Sequence, residues 1–209
     1  NSQEGALVSS QNLTLQASSL INRQGIISAA ADVTVHLEDG LNNQSGQIAG
    51  DNLSITALNL DNTAGEISAE RTLSLAVLVQ LLNQQDCRVI SGHELLIHAN
   101  HVNNQGGILA SEGWLTLTAL QQINNQQGRI AANQHLALQT KQLDNSNSGQ
   151  IYSQAASAQL QANTLNNDGG LIQAQSDLSL TASDSLSNQQ GRLLSEQSDL
   201  DIQASSLDN

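Results

Sequence analysis

An asparagine returns about every 21 residues along the whole chain, and this repeat restricts the possible folds more than any other feature. Each asparagine closes a triplet of the form apolar-x-Asn. The ten triplets are Leu20–Asn22, Leu41–Asn43, Leu60–Asn62, Leu81–Asn83, Val102–Asn104, Ile123–Asn125, Leu143–Asn145, Leu165–Asn167, Leu186–Asn188 and Leu207–Asn209. Successive asparagines lie 21, 19, 21, 21, 21, 20, 22, 21 and 21 residues apart. A period this regular indicates a chain that stacks one small unit rather than wrapping a single core.

Three further columns appear when the units are aligned on the asparagines. A glycine follows most of the asparagines three or four residues later: Gly25, Gly46, Gly65, Gly107, Gly128, Gly149, Gly170 and Gly191. Gly5 opens the first unit, and Cys87 takes the place of the glycine in the fifth unit. An aliphatic residue comes two positions after the glycine, and a small residue two positions after that. An alternating apolar pair then precedes the next triplet, as in Leu13–Leu15 and Leu95–Ile97, and is weakest at Ala158–Leu160.

Every segment of the unit alternates with a period of two, which predicts β-strands, and none shows the apolar stripe of a helix. Each unit is therefore predicted to contain three short strands separated by sharp corners. Stacked units form a parallel β-solenoid, or β-helix, of about ten coils. With strands about 4.8 Å apart, the rod is roughly 45–50 Å long. A leucine-rich repeat is rejected, because its asparagine follows the Leu-x-Leu core by three residues, whereas Asn22 lies seven residues beyond Leu15.

The glycine column predicts a corner that requires either positive φ or a close approach of two backbone segments. Asparagine tolerates the left-handed conformation, and stacked asparagine amides can hydrogen-bond from coil to coil. We therefore interpret the ten asparagines as a structural ladder rather than as ligand-binding groups. Cys87 is interpreted as a replacement at one corner, with a reactive thiol as the alternative. A single cysteine excludes an intramolecular disulfide.

The composition agrees with a thin stacked rod and excludes several partners. Proline is absent, which suits a chain whose N–H groups nearly all belong to a ladder. The formal net charge of −13 argues against nucleic acid and anionic membranes as partners. No apolar run is long enough to span a membrane. We expect residues 1–209 to form a single repeat array, and, since the pattern begins and ends within a repeat, a fragment of a longer filament.

Two groups of residues invite a chemical interpretation. Asp177 and Asp199 occupy neighbouring places in an outward column, about 5 Å apart, a separation at which two carboxylates can act as acid and base. Solvated charges on a polar face are the preferred interpretation. His93, His98 and His101 fall in one coil, and three histidines can bind zinc, but their positions predict that they face different sides. The sequence thus predicts no catalytic residue, no metal site and no cofactor.

Two departures from the repeat are candidates for contact with a partner. The segment Leu75–Leu82 is almost wholly apolar. The alternation places Leu73, Leu75, Val77 and Leu81 inside. It leaves Leu78, Val79 and Leu82 outside the core or in a corner, where an exposed apolar cluster can mark an interface. A bulged corner that buries these side chains is the alternative. Trp114 falls in an outward column, where an exposed tryptophan is a frequent binding anchor; it can also lie flat over its neighbours.

The unit Leu-x-Asn-x-x-Gly-x-Ile-x-Ala-x-x-x-Leu-x-Leu-x-Ala resembles that of a known family. Matching stretches are residues 60–69, 123–132 and 165–174. The pattern is similar to the haemagglutinin repeats of large exoproteins that Gram-negative bacteria export by two-partner secretion. Those exoproteins include filamentous haemagglutinin adhesins and contact-dependent growth inhibition toxins. The resemblance covers essentially the whole chain.

The resemblance implies a right-handed β-helical filament that projects from the cell surface and displays binding or toxin regions. It also implies secretion by a Gram-negative bacterium through an outer-membrane two-partner secretion transporter. It leaves adhesin and toxin carrier equally open. We expect a structural, non-enzymatic role. One alternative is a module in which this segment itself binds a cell-surface receptor or glycan; a less favoured one is a polysaccharide-active β-helix enzyme.

Overall fold

The computed structural model describes residues 4–209, and within this range the chain forms twenty-three β-strands and no helix. The first coils contain β1 (Ala6–Ser9), β2 (Leu13–Ala17), β3 (Leu20–Ile21), β4 (Ile26–Ala29), β5 (Val33–Leu37), β6 (Gly40–Asn42), β7 (Gln47–Gly50), β8 (Leu53–Asp61), β9 (Glu66–Ala69), β10 (Thr72–Leu82), β11 (Arg88–Ser91) and β12 (Glu94–Asn103). The remaining coils contain β13 (Ile108–Ser111), β14 (Trp114–Asn124), β15 (Arg129–Ala132), β16 (Leu136–Gln139), β17 (Gln142–Asp144), β18 (Gln150–Ser153), β19 (Ala158–Asn166), β20 (Leu171–Ala174), β21 (Leu178–Ser187), β22 (Arg192–Ser195) and β23 (Leu200–Asp208).

The strands form two parallel sheets that run along the stack. The narrow sheet contains ten strands of four residues each, in the order β1-β4-β7-β9-β11-β13-β15-β18-β20-β22. The wide sheet contains the other thirteen strands and follows the order β2-β5-β8-β10-β12-β14-β16-β19-β21-β23, with β3, β6 and β17 beside this path. Each strand pairs with its counterparts about one repeat before and after it, so the predicted parallel β-solenoid of about ten coils is confirmed.

The prediction of three separate strands in each coil is wrong for most coils. In β10 and β14 the apolar pair and the apolar-x-Asn triplet belong to one continuous strand. The bend between them is a β-bulge: the register of β10 shifts between Val77 and Gln80 against both of its neighbours. A bulge lets a strand turn a corner while its hydrogen bonding continues on either side. Only the coils containing β2 and β3, β5 and β6, and β16 and β17 keep the two segments apart.

The core is a set of aliphatic columns enclosed between the two sheets. In the narrow sheet, Ile67 lies over Val89 and Val89 over Leu109, all with no exposed surface. In the wide sheet, Leu73 and Leu95 continue the pattern and are equally buried. The buried fractions alternate along each strand because successive side chains of a strand point to opposite faces. Each buried leucine or isoleucine contributes about 1.5–3 kcal/mol to stability relative to leaving it in water.

The corner between the triplet and the narrow sheet shows why glycine recurs there. The positive φ belongs to the residue before the glycine, as at Gln24 with φ of 55° and Gln127 with φ of 57°. The glycine itself makes a close backbone approach: a Cβ on Gly107 would lie 2.0 Å from the carbonyl oxygen of Asn83 in the preceding coil. Of the two explanations left open by the sequence, close approach applies to the glycine column. Within residues 4–209 the ladder asparagines do not adopt positive φ, contrary to that part of the sequence interpretation.

Replacing Gly107 with alanine is expected to destabilise the stack by about 3 kcal/mol, because the new methyl group overlaps a backbone oxygen that cannot move independently. The matched control is Gly106→Ala. Gly106 has a φ of 66° but nothing within 4 Å of an added Cβ, so that change is expected to cost about 1 kcal/mol. Urea unfolding of the two variants measures the difference. Equal losses at the two positions would contradict the close-approach explanation.

Candidate functional site

The ten repeated asparagines form one continuous row of side-chain hydrogen bonds. In each step the Nδ2 atom of one asparagine donates to the Oδ1 atom of the next, at 2.7–2.9 Å, from Asn22 to Asn209. Asn104 illustrates the other contacts: its Nδ2 also donates to the carbonyl oxygen of Gly107, at 3.2 Å, and to that of Arg129 in the next coil, at 3.1 Å.

The asparagine side chains from Asn22 to Asn188 are buried as well as bonded, whereas Asn209 is exposed. Asn43, Asn62, Asn104 and Asn167 have no exposed surface. Among residues 4–209, every buried side-chain nitrogen or oxygen atom has a hydrogen-bond partner. Because burying an unpaired amide is unfavourable, this full pairing is what allows a polar column inside a thin apolar core. The row faces inward and its donors and acceptors are occupied by the neighbouring coils, so it offers no binding groups to a ligand.

Cys87 occupies a corner that is one residue longer than most others. Gln85 and Asp86 before it both have positive φ, with values of 63° and 60°. The thiol is buried, with 1% of the residue exposed. Burial raises the pKa of Cys87 to about 12, outweighing the backbone hydrogen bonds that lower it. A thiol that stays protonated at neutral pH is a poor nucleophile, so this environment favours the interpretation of Cys87 as a corner residue.

Asp177 and Asp199 do lie in neighbouring coils, but the side chain of Asp177 is hydrogen-bonded to the coil that carries Asp199. Ser198 Oγ and the backbone N–H of Asp199 both donate to Asp177 Oδ1, the latter at 3.3 Å. The Ser198 hydrogen bond, followed by that from Asp199, lowers the pKa of Asp177. A general acid at neutral pH needs a raised pKa instead. The geometry therefore favours solvated charges over an acid–base pair.

The three histidines of one coil face different surroundings. His93 lies in a turn after the narrow sheet, where its N–H donates to the carbonyl of Arg71, while His98 and His101 lie on either side of the register shift in β12. All three are exposed. Within the described chain, residues 4–209, no group of three or more His, Cys, Asp or Glu side chains is arranged to hold a metal ion.

In the apolar segment of β10, two of the three side chains predicted to lie outside the core are exposed to solvent, and the third is half-buried. Leu78 is 56% exposed and Val79 is 43% exposed at the β-bulge, whereas Leu82 is half-buried. Leu120 occupies the corresponding bend of β14 and is 49% exposed. Sequence reasoning missed Leu120, although its place one residue after the inward Ala119 matches that of Leu78 after Val77.

Trp114 points outward from the wide sheet and is 49% exposed. Its indole N–H donates to Oε1 of Gln134 in the next coil, at 2.7 Å. Its ring makes an edge-to-face contact with His135, with centroids 6.4 Å apart and planes at 68°. On the opposite side, Glu94 is its partner in register. Trp114 is thus half-exposed and held by two contacts with the next coil, and its use as a binding anchor stays a prediction.

A shallow depression lies on the same outward face of β14 as Trp114 and begins two residues further along the strand, at Thr116. It occupies about 150 Å³, and its rim is formed by Thr116, Thr118, Gln139, Gln159 and Gln161 around the small side chain of Ala137. These residues come from three successive coils, so sequence reasoning did not bring them together. The only signal in the sequence is an alanine in an outward column that otherwise carries mostly serine and threonine.

The outer surface of the narrow sheet carries a wider groove. Ala110 and Ala131 form its floor, Arg88 and Arg129 lie along one side, and Tyr152 stands at one end. Tyr152 is half-buried in this groove rather than fully exposed.

The described chain contains no helix, and so none with the length and apolarity to cross a membrane.

Comparison with protein families identifies the repeat. The family model described as haemagglutinin repeat matches residues 8–86, 90–159, 153–190 and 184–209. The gap at residues 87–89 begins at Cys87, where the corner glycine is missing. Comparisons with curated proteins and with solved structures gave no match.

Replacing Asn104 with leucine is expected to destabilise the stack by about 3–5 kcal/mol, because it leaves Asn83 and Asn125 without one partner each inside the core. Asn163→Leu is the matched control, since Asn163 is exposed at a bend, and it should change stability by less than about 0.5 kcal/mol. Denaturant unfolding compares them. If the Asn104→Leu variant kept its stability but lost binding to a partner, the row would do more than hold the coils together.

Alkaline pH should destabilise the native chain more than a Cys87→Ala variant. The folded pKa of Cys87 is about 12 against an ordinary value of 9.0, so above pH 9 the unfolded chain loses its thiol proton first. Stability from the protonated thiol is complete below that pH and is lost as pH rises toward 12. Between pH 8 and pH 11 the difference between the two proteins should change by about 2–3 kcal/mol. Parallel urea titrations with no such change would place the thiol in contact with solvent.

Proposed function

The chain belongs to the haemagglutinin-repeat family, and on this basis we propose that it is a structural segment of the filament of a secreted bacterial surface protein. In this role the segment supplies length and stiffness and carries other regions of its parent protein away from the cell. Haemagglutinin repeats are typical of secreted or cell-surface bacterial proteins, which supports this role.

The observation that carries the proposal is the unbroken continuity of the stack. Both sheets and the asparagine row run through successive coils from end to end of the described chain. Each coil bonds to the coils beside it, so every added coil extends the rod without changing its cross-section. A long object of constant thickness is what a spacer requires, whereas a catalyst needs a site built at one place.

The export route and the cell type are further parts of the proposal. We infer that the parent protein is exported by a Gram-negative bacterium through an outer-membrane two-partner secretion transporter. The segment serves equally in an adhesin, where it displays host-binding regions, and in a contact-dependent growth inhibition carrier, where it displays receptor-binding and toxin regions. The net charge of −13 suits a projecting rod, because like charges keep neighbouring rods apart in solution.

The family is one of structural and adhesive repeats rather than of enzymes, and the described coils support a non-enzymatic role. The carboxylate pair that most resembles a glycosidase site has a lowered pKa at Asp177, which disfavours acid catalysis. A binding module is the second candidate function, and the specific observation in its favour is the exposed, fixed side chain of Trp114.

Removing one whole coil should shorten the segment without unfolding it. Deletion of residues 84–104 joins Asn83 to Gln105 and creates an ordinary corner that ends at Gly107. The shortened chain should retain β-sheet circular dichroism, and small-angle X-ray scattering should show a rod about 5 Å shorter. In the exported parent protein, the same deletion should preserve export and the activity of the displayed regions.

Deletion of residues 84–94, about half a coil, is the control for the one-coil deletion. It brings strands of the two different sheets into the same position and should abolish folding. A one-coil deletion that remains folded but eliminates cell binding or toxin delivery would contradict the spacer role, because it would assign the activity to the deleted coil itself.

A further inference from the structure

The outer face of the wide sheet carries the single tryptophan of the chain, Trp114. We define the "Trp114 patch" as Trp114 together with the depression that begins two residues further along β14 and is formed by Thr116, Thr118, Ala137, Gln139, Gln159 and Gln161. In register, Thr116 faces Ala137 and Ala137 faces Gln159, so the patch crosses three successive coils. It combines an aromatic ring, hydroxyl groups and primary amides, and it carries no charged side chain.

We propose that the Trp114 patch binds a neutral saccharide. This assignment goes beyond the spacer role, which requires no ligand. A sugar ring presents C–H groups on its faces and hydroxyl groups around its edge. It therefore needs an apolar, preferably aromatic, surface beside several uncharged hydrogen-bonding groups. Those two components lie side by side on β14, where Trp114 precedes Thr116 and Thr118 on the same outward face.

The tryptophan is prepared for stacking before any ligand arrives. Its N–H donates to Gln134 and its ring makes a T-shaped contact with His135, so the ring has a fixed position in the unbound chain. With the N–H occupied, the exposed half of the side chain offers an apolar ring surface rather than a hydrogen-bond donor. Fixing a contact surface in advance lowers the entropy lost on binding, and this favours a stacked ring as its ligand.

The depression supplies hydrogen-bonding groups that the protein does not itself use. Gln44, Gln126 and Gln189, at the corners, donate to aspartates of neighbouring coils. In contrast, the side chains of Gln139, Gln159 and Gln161 form no such bonds within residues 4–209 and are exposed around Ala137. An amide has both donors and an acceptor, and a sugar hydroxyl can act as either. The small side chain of Ala137 leaves the space between them.

Charge selects a neutral ligand over an anionic one. Glu94 lies beside Trp114 in the preceding coil. Further along the same outward column come His135, Ser157 and then Asp177, each one coil after the last. The Trp114 column thus has a carboxylate at each end of the patch, in a chain with a net charge of −13. The cation Lys141, two residues beyond Gln139, is bonded to Oε1 of Gln121 at 3.2 Å. The negative charges repel carboxylated or sulfated saccharides, while carboxylates accept hydrogen bonds from neutral hydroxyl groups. The spacing of coils, about 4.8 Å, gives the three-coil patch the length of a short oligosaccharide.

Intrinsic fluorescence provides a direct test, because Trp114 is the only tryptophan in the chain. The 209-residue chain would be titrated with lactose, maltotriose and chitotriose as neutral probes. We expect a saturable change in Trp114 emission with at least one of them. The absence of any saturable change with all three probes up to about 10 mM would overturn the proposal.

Variants locate the binding without removing the fluorophore. Ala137→Leu fills the depression from an outward position and should weaken saccharide binding about tenfold or more, with unchanged circular dichroism. Ala49→Leu is the matched control, because Ala49 is a half-buried outward alanine on the narrow sheet, and it should bind as the unmodified chain does. Equal weakening by both variants, or by neither, would overturn the assignment to this patch.

Charged probes test the selectivity. Sialyllactose and a hyaluronate oligosaccharide should bind about tenfold more weakly than the best neutral probe. Equal or tighter binding of either would overturn the neutral-saccharide assignment. Because the deletion of residues 84–104 leaves Trp114 and the depression in place, failure of saccharide binding and failure of the spacer role are observed in separate experiments.

Discussion

The row of asparagine amides, together with the backbone approach beside it, fixes how each coil sits on the next. Nδ2 of Asn104 reaches Oδ1 of Asn125 at 2.7 Å only when two coils are in register. The interval between successive asparagines of the row varies from 19 to 22 residues, yet the distances from Nδ2 to Oδ1 stay within 2.7–2.9 Å. Extra residues are therefore accommodated elsewhere: in the longer corners that end at Cys87 and Gly149, and at the β-bulges of the wide sheet. The aliphatic columns follow this alignment.

Most of the fold could be predicted because its rules are local. The period of two assigned Leu73, Leu75 and Val77 to the inside, and all three are buried, since the pleat of a strand forces alternate side chains to opposite faces. The number of strands per coil was not predictable in the same way. Whether β10 bends or breaks after Val77 depends on hydrogen bonds to the coils on either side, and one coil's sequence does not contain that information.

The surface was predictable only one residue at a time. The outward position of Trp114 follows from its column, but its contacts with Gln134 and His135 depend on side-chain rotamers in the next coil. The depression around Ala137 needs residues about 20 positions before and after it, so no motif in a continuous stretch reveals it. The hydrogen bonding of Asp177 could not be predicted for the same reason: its main donor is Ser198, which lies in the following coil.

A stack of this kind separates the residues that hold the fold from those that are free for recognition. Corner amides and inward side chains are committed to neighbouring coils, so a ligand cannot use them without competing with the fold. The outward side chains of the wide sheet do not take part in these contacts, so a change at Thr116 or Gln159 leaves the asparagine row intact. Recognition on such a filament is therefore expected where neighbouring coils bring together outward residues that depart from the repeat, as they do beside Trp114.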